Sequence, residues 1–143
     1  MLYEEIRIIY DNGSSLSDLS VANQDETANV SLHLDTDKFL YIAQKCPFTS
    51  LFFYIHNGNS VDTGVELKAE YWDGTQWRVV ADLLNDTISA NKPLHKSGTV
   101  KWYLDDDYSW QKVTSTNETY APAELQTLKI YEMYWIRISA TAE

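Results

Sequence analysis

Apolar residues recur at every second position along most of this chain, and no stretch keeps a helical period for long. "LYEEIRIIY" (2–10) is the first predicted strand, closed by the turn "DNGS" (11–14). Residues 15–27 are polar and irregular. "NVSLHL" (29–34) then alternates, with Val30, Leu32 and Leu34 on one face and Asn29, Ser31 and His33 on the other. A further strand is predicted over 38–44. "SLFFYIH" (50–56) is apolar on both faces, as in a central strand or one whose outer face meets a partner. A loop follows at 57–64.

The stretch "EYWDGTQW" (70–77) reads as a hairpin. Val65, Leu67, Ala69 and Tyr71 share one face of the strand before it, while Glu66, Lys68 and Glu70 take the other. Trp77, Val79 and Ala81 are the apolar set of the strand after it. A two-residue Asp73-Gly74 loop would put these sets on opposite faces. A three-residue loop, Trp72 to Gly74, pairs Ala69 with Trp77, joins the sets, and places Gly74 where a left-handed residue is needed. That register predicts Trp77 in the core and Trp72 at the hairpin tip.

Residues 83–97 read as a long connection. "GTVKWYL" (98–104) follows as a strand, with Val100, Trp102 and Leu104 on one face. Trp110 is expected to anchor the turn back into the sheet, and 113–122 is polar and loop-like. In the last strand, "MYWIRIS" (133–139), Tyr134, Ile136 and Ile138 face one way, Trp135 and Arg137 the other. About eight short strands with few helices predict an all-β, antiparallel β-sandwich of jelly-roll type. A length of 143 residues, with no internal repeat or linker, predicts one domain over 1–143.

Composition adds aromatic weight and acidity. Ten Tyr and five Trp lift the aromatic share to 13%, which suits sheets and interfaces. A net charge of −10 with scattered bases argues against nucleic acid, which selects clustered Lys and Arg. The charged, strand-like start is unlike a signal peptide, and no apolar run approaches a membrane span. Cytoplasmic folding without a membrane partner is the expectation. Cys46, the single cysteine, can form no intrachain disulfide and is expected to be a small buried residue.

Motifs for chemistry are scarce. His33, His56 and His95 stand apart from any metal-ligand spacing, and no GxSxG, Walker A or GxGxxG sequence occurs. No cofactor or catalytic residue is expected. Asp82, Asp86 and Asp105 could supply oxygen ligands to calcium, but Asp also commonly ends strands and caps turns. The outstanding feature is aromatic side chains on predicted outer faces and tips. Trp72, Tyr103, Trp135 and Arg137, with Tyr54 and Phe52, are the candidate interface residues, and Tyr108 and Tyr120 lie in loops. Trp, Tyr and Arg are enriched at protein interfaces, although aromatics also stack on sugar rings or pack under long loops.

The second half carries an ordered set of pieces: "VELKAEYWDGTQW", "DLLNDT", "SGTVKW", an acidic stretch reaching Trp110, and "YWIRIS". Over residues 64 to 139 this order resembles β-sandwich virion proteins of tailed bacteriophages, found among head-decoration, neck and tail or baseplate components. A longer insertion between Thr87 and Ser97 and the polar stretch 113–122 depart from that pattern. The resemblance implies a non-catalytic, multicopy structural protein in the virion, assembled in the bacterial host cytoplasm. Its partners would be other virion proteins and copies of itself. The alternative is a carbohydrate-binding module of the same fold, with Trp72 and the loop aromatics as the stacking platform.

Overall fold

The computed structural model describes residues 6–20, 31–56, 65–104 and 108–141. Among these residues ten strands form two antiparallel sheets. The larger contains β1 (Arg7–Asp11), β2 (Leu16–Asp18), β3 (Phe39–Gln44), β5 (Leu67–Trp72), β6 (Trp77–Val79), β9 (Lys112–Val113) and β10 (Met133–Ala140). Its order is β2-β1-β3-β10-β5-β6, with β9 added alongside the start of β10. The smaller has the order β4-β8-β7, from Ser50–Phe53, Gly98–Tyr103 and Ala81–Asn85. The expected antiparallel sandwich is present. Its sheets are unequal, seven strands against three, whereas a jelly roll places eight strands in two sheets.

Period-two patterning places the core. Leu40, Ile42, Ala69, Tyr71, Ile136 and Ile138 project from the larger sheet and meet Val100 and Trp102 from the smaller one. Leu51, Phe53 and Leu83 close this cluster from β4 and β7. Phe48, Trp102, Trp110, Tyr71 and Tyr134 form a chain of tilted and edge-on ring contacts with centroids 5.1–6.1 Å apart. The chain passes between sheets at buried Val80, whose N–H still donates to the Ala69 carbonyl at 3.0 Å. Trp110 anchors the return as expected, its indole donating to the Trp135 carbonyl at 2.8 Å.

The outer face of the larger sheet is covered as well. Two short 3-10 turns, Glu118–Tyr120 and Ala123–Leu128, lie over it. Leu125, Ile130 and Met133 pack there against Ile9, Tyr41, Ala43, Trp72 and Trp135. The polar run expected to be a loop is thus the edge of a third layer. Its few apolar residues are spaced too irregularly to show a helical face.

Several sequence expectations change. β5 and β6 pair Trp72 with Trp77 and Tyr71 with Arg78, leaving the four-residue loop Asp73–Gln76 instead of three residues. Asp73 makes that loop: its Oδ1 accepts from the Thr75 and Gln76 amides at 2.8 Å each, and its Oδ2 pairs with Arg78. Gly74 takes the positive φ, 101°, as expected. Both tryptophans then face outward from the sandwich core, Trp72 under the third layer and Trp77 half-buried at its rim.

β4 is an edge strand, not a central one. Residues 81–85, mostly assigned to a connection, form β7, with a bulge and a left-handed Asp82 that obscure the alternation. Residues 31–34 are irregular, although Leu34 is buried and Leu32 packs on the core. Cys46 is exposed in the turn before Pro47, where the chain leaves the sheet. Residues 2–5, 29–30, the loop 57–64 and Asp105 lie outside the described residues.

Candidate functional site

β10 lies between β3 and β5, which sets Arg137 across from Tyr41 on one side and Glu70 on the other. Alternation puts Phe39 and Tyr41, Lys68 and Glu70, and Arg137 and Ser139 on the same outer face. The guanidinium carbon of Arg137 lies 4.4 Å from the Phe39 ring centroid and 4.7 Å from that of Trp77. Two aromatic rings thus hold one cation. Its Nε donates to Glu70 Oε1 at 2.9 Å, and its Nη1 lies 3.8 Å from Glu124 Oε1.

Glu124 reaches this centre from the third layer. The same Oε1 accepts from Trp77 Nε1 at 3.0 Å and from the Tyr41 hydroxyl at 3.2 Å. Burial, and then the charge of Glu124, push the Tyr41 hydroxyl far above its ordinary ionisation range, so it stays a donor. Lys68 Nζ stands 3.7 Å from Glu70 Oε2. The cluster therefore balances two cations against two carboxylates.

Beyond Arg137 the third layer ends and a cavity of about 300 Å³ opens on the sheet. Phe39, Lys68, Glu70, Arg137, Ser139 and Thr141 line it, with exposed Thr36 on the rim. Ser139 is 3% exposed, and its side chain forms part of the cavity wall. Thr36 is held by the turn 35–38, where Asp35 accepts from Lys38 Nζ at 2.6 Å and from the Asp37 amide at 2.7 Å. Lys38 first, and then that amide, keep the buried Asp35 carboxyl below its usual range.

The structure divides the predicted interface residues between two opposite faces. Trp72 and Trp135, expected outside, are 7% and 2% exposed, because the third layer covers them. Trp72 donates to the Tyr120 carbonyl at 2.6 Å, which ties that layer down and removes the tryptophan as a stacking platform. Arg137 is mostly buried in the centre described above. Phe52, Tyr54 and Tyr103 are 66%, 87% and 52% exposed. Phe52 and Tyr103 share the bare outer face of the smaller sheet with Leu84 and Lys101, and Tyr54 follows β4 directly. Tyr108 and Tyr120 are exposed as expected.

Asp82 and Asp86 are exposed, and among the described residues no three His, Cys, Asp or Glu side chains converge to hold a metal. No helix of the described residues is long and apolar enough to cross a membrane. Of the cavity residues, only Arg137 was a sequence candidate. Lys68 and Glu70 were visible as charges on a strand face, but nothing local showed that the third layer would stop beside them. The arrangement offers fixed donors and acceptors for binding. No protein-family model, curated protein or solved structure matches the chain.

Proposed function

We propose that this chain is a non-catalytic structural component of a tailed-phage particle, held in place by contacts with copies of itself and with neighbouring virion proteins. The bare outer face of the three-stranded sheet carries the reading. Phe52, Leu84 and Tyr103 stand largely in solvent on strands whose opposite faces are packed into the core. Large apolar side chains sharing a sheet face mark a surface that another protein covers. Among the described residues β4 and β7 are the edge strands flanking this face, the positions at which a strand of another copy could add. The virion context rests on the resemblance carried by residues 64–139, three of whose motifs shape the scaffold here: the Asp73 turn, the tight approach at Gly98 and the closing strand β10.

Light scattering coupled to size exclusion tests this with the wild-type chain and a Phe52→Ser/Tyr103→Ser variant. We expect a defined oligomer from the wild type. The variant should be monomeric with an unchanged melting temperature, since neither side chain supports the core. A wild-type chain that remains monomeric at every concentration overturns the self-assembly reading, as does a variant that assembles equally well.

A further inference from the structure

We propose that the cavity beside Arg137 is a saccharide-binding site that takes a neutral, hydroxyl-rich sugar unit. It lies across the sandwich from the apolar face described above, so both surfaces can be occupied at once. A volume of about 300 Å³ is at the small end of ligand pockets, enough for a small ring with its neighbours in solvent.

The chemistry of the walls selects the ligand. Vicinal hydroxyls of a sugar each donate and accept, so they match acceptors and donors fixed side by side. Glu70 presents such an acceptor: its two oxygens are engaged by Arg137 at 2.9 Å and Lys68 at 3.7 Å, leaving lone pairs unused. Lys68 is half-exposed and its ammonium has three hydrogens to place, only one of them toward Glu70. Ser139, a residue 3% exposed, adds a hydroxyl on the cavity wall that can both donate to and accept from a ligand. The rim hydroxyls of Thr36 and Thr141 add further partners, and Phe39 offers an apolar wall for the C–H edge of a ring.

Electrostatics narrow the class. Lys68 and Arg137 are matched by Glu70 and Glu124, so the site has no surplus of positive charge for a phosphate, sulfate or uronate. The net charge of −10 repels such anions further. Arg137 and Glu70 are also held before any ligand arrives. Phe39 and Trp77 clamp the guanidinium, and Glu124 ties it to the third layer, so little side-chain freedom remains to be lost.

The test uses the 143-residue chain on an array of neutral and acidic glycans, followed by calorimetric titration with the best neutral glycan. Ser139→Ala and Lys68→Met remove a pocket group without touching the core, and Phe52→Ser serves as a control on the opposite face. We expect a neutral glycan to bind. Each pocket variant should lose about tenfold in affinity at unchanged melting temperature, with Phe52→Ser binding as the wild type does. A blank array, binding restricted to acidic glycans, or pocket variants that bind undiminished each overturn the proposal. Loss of self-assembly in the Phe52 series leaves this result untouched, so the two readings fail separately.

Discussion

Asp73 occupies the first position of the β5–β6 loop, and its carboxylate is the loop's internal frame. Burial opposes its ionisation. The Arg78 guanidinium and the amides of Gln76 and Thr75 outweigh that burial and hold the carboxyl well below the usual carboxylate range. A group with its folded pKa depressed adds stability that is present above the unfolded value, about 3.9 for Asp, and is lost as pH falls toward the folded one. Asp73→Asn keeps an acceptor for the two amides but loses the pairing with Arg78. The variant should therefore be less stable than the wild type at neutral pH, with the gap closing between about pH 5 and pH 2. Denaturant midpoints of both proteins across that range check this, and a gap constant with pH would remove the charge from the account. The same residue explains why the hairpin register was only partly legible. The Asp-Gly turn and the positive φ at Gly74 follow from residue type, whereas the loop length depends on how many amides one carboxylate gathers.

Among elements, β8 shows a motif whose cause appears only in three dimensions. Its first residue, Gly98, lies so close to the β7 end that an added Cβ would stand 2.4 Å from the Asp86 carbonyl oxygen. The Asp86 amide donates to the Thr99 carbonyl at 2.9 Å beside it. Buried Thr87 pins the connection that follows: its hydroxyl accepts from the Leu94 amide at 2.9 Å and its carbonyl from His95 at 2.9 Å. Gly98→Ala must push backbone against backbone and should cost roughly 1–3 kcal/mol, as overpacking generally does. Urea unfolding would show this as a lower midpoint at unchanged slope. A midpoint that stays put would mean the approach is looser than the geometry implies. β10 is the contrasting case. Its alternation predicted both faces correctly, yet Trp135 and Arg137 lie under or beside a third layer rather than in solvent.

For the whole molecule, assembly must overcome charge. Each copy carries −10, while the face proposed to be covered is apolar with Lys101 near its middle. Salt shortens the reach of like-charge repulsion from about 10 Å at 0.1 M to about 3 Å at 1 M, and leaves apolar attraction in place. Oligomers should therefore strengthen as salt rises from roughly 0.05 to 0.5 M. Sedimentation over that range checks the sign, and dissociation by salt would point to an interface of ion pairs instead. Valency would then raise the avidity of the glycan pocket on the opposite face. Local alternation and turn chemistry by themselves determined the all-β class, the antiparallel pairing and the core faces of β5, β8 and β10, because a period of two is written in neighbouring residues. Which outer face is bare was decided only by tertiary structure. Trp72 and Phe52 look alike along the chain, and what separates them is a segment some fifty residues away from Trp72 that folds back over one sheet and not the other.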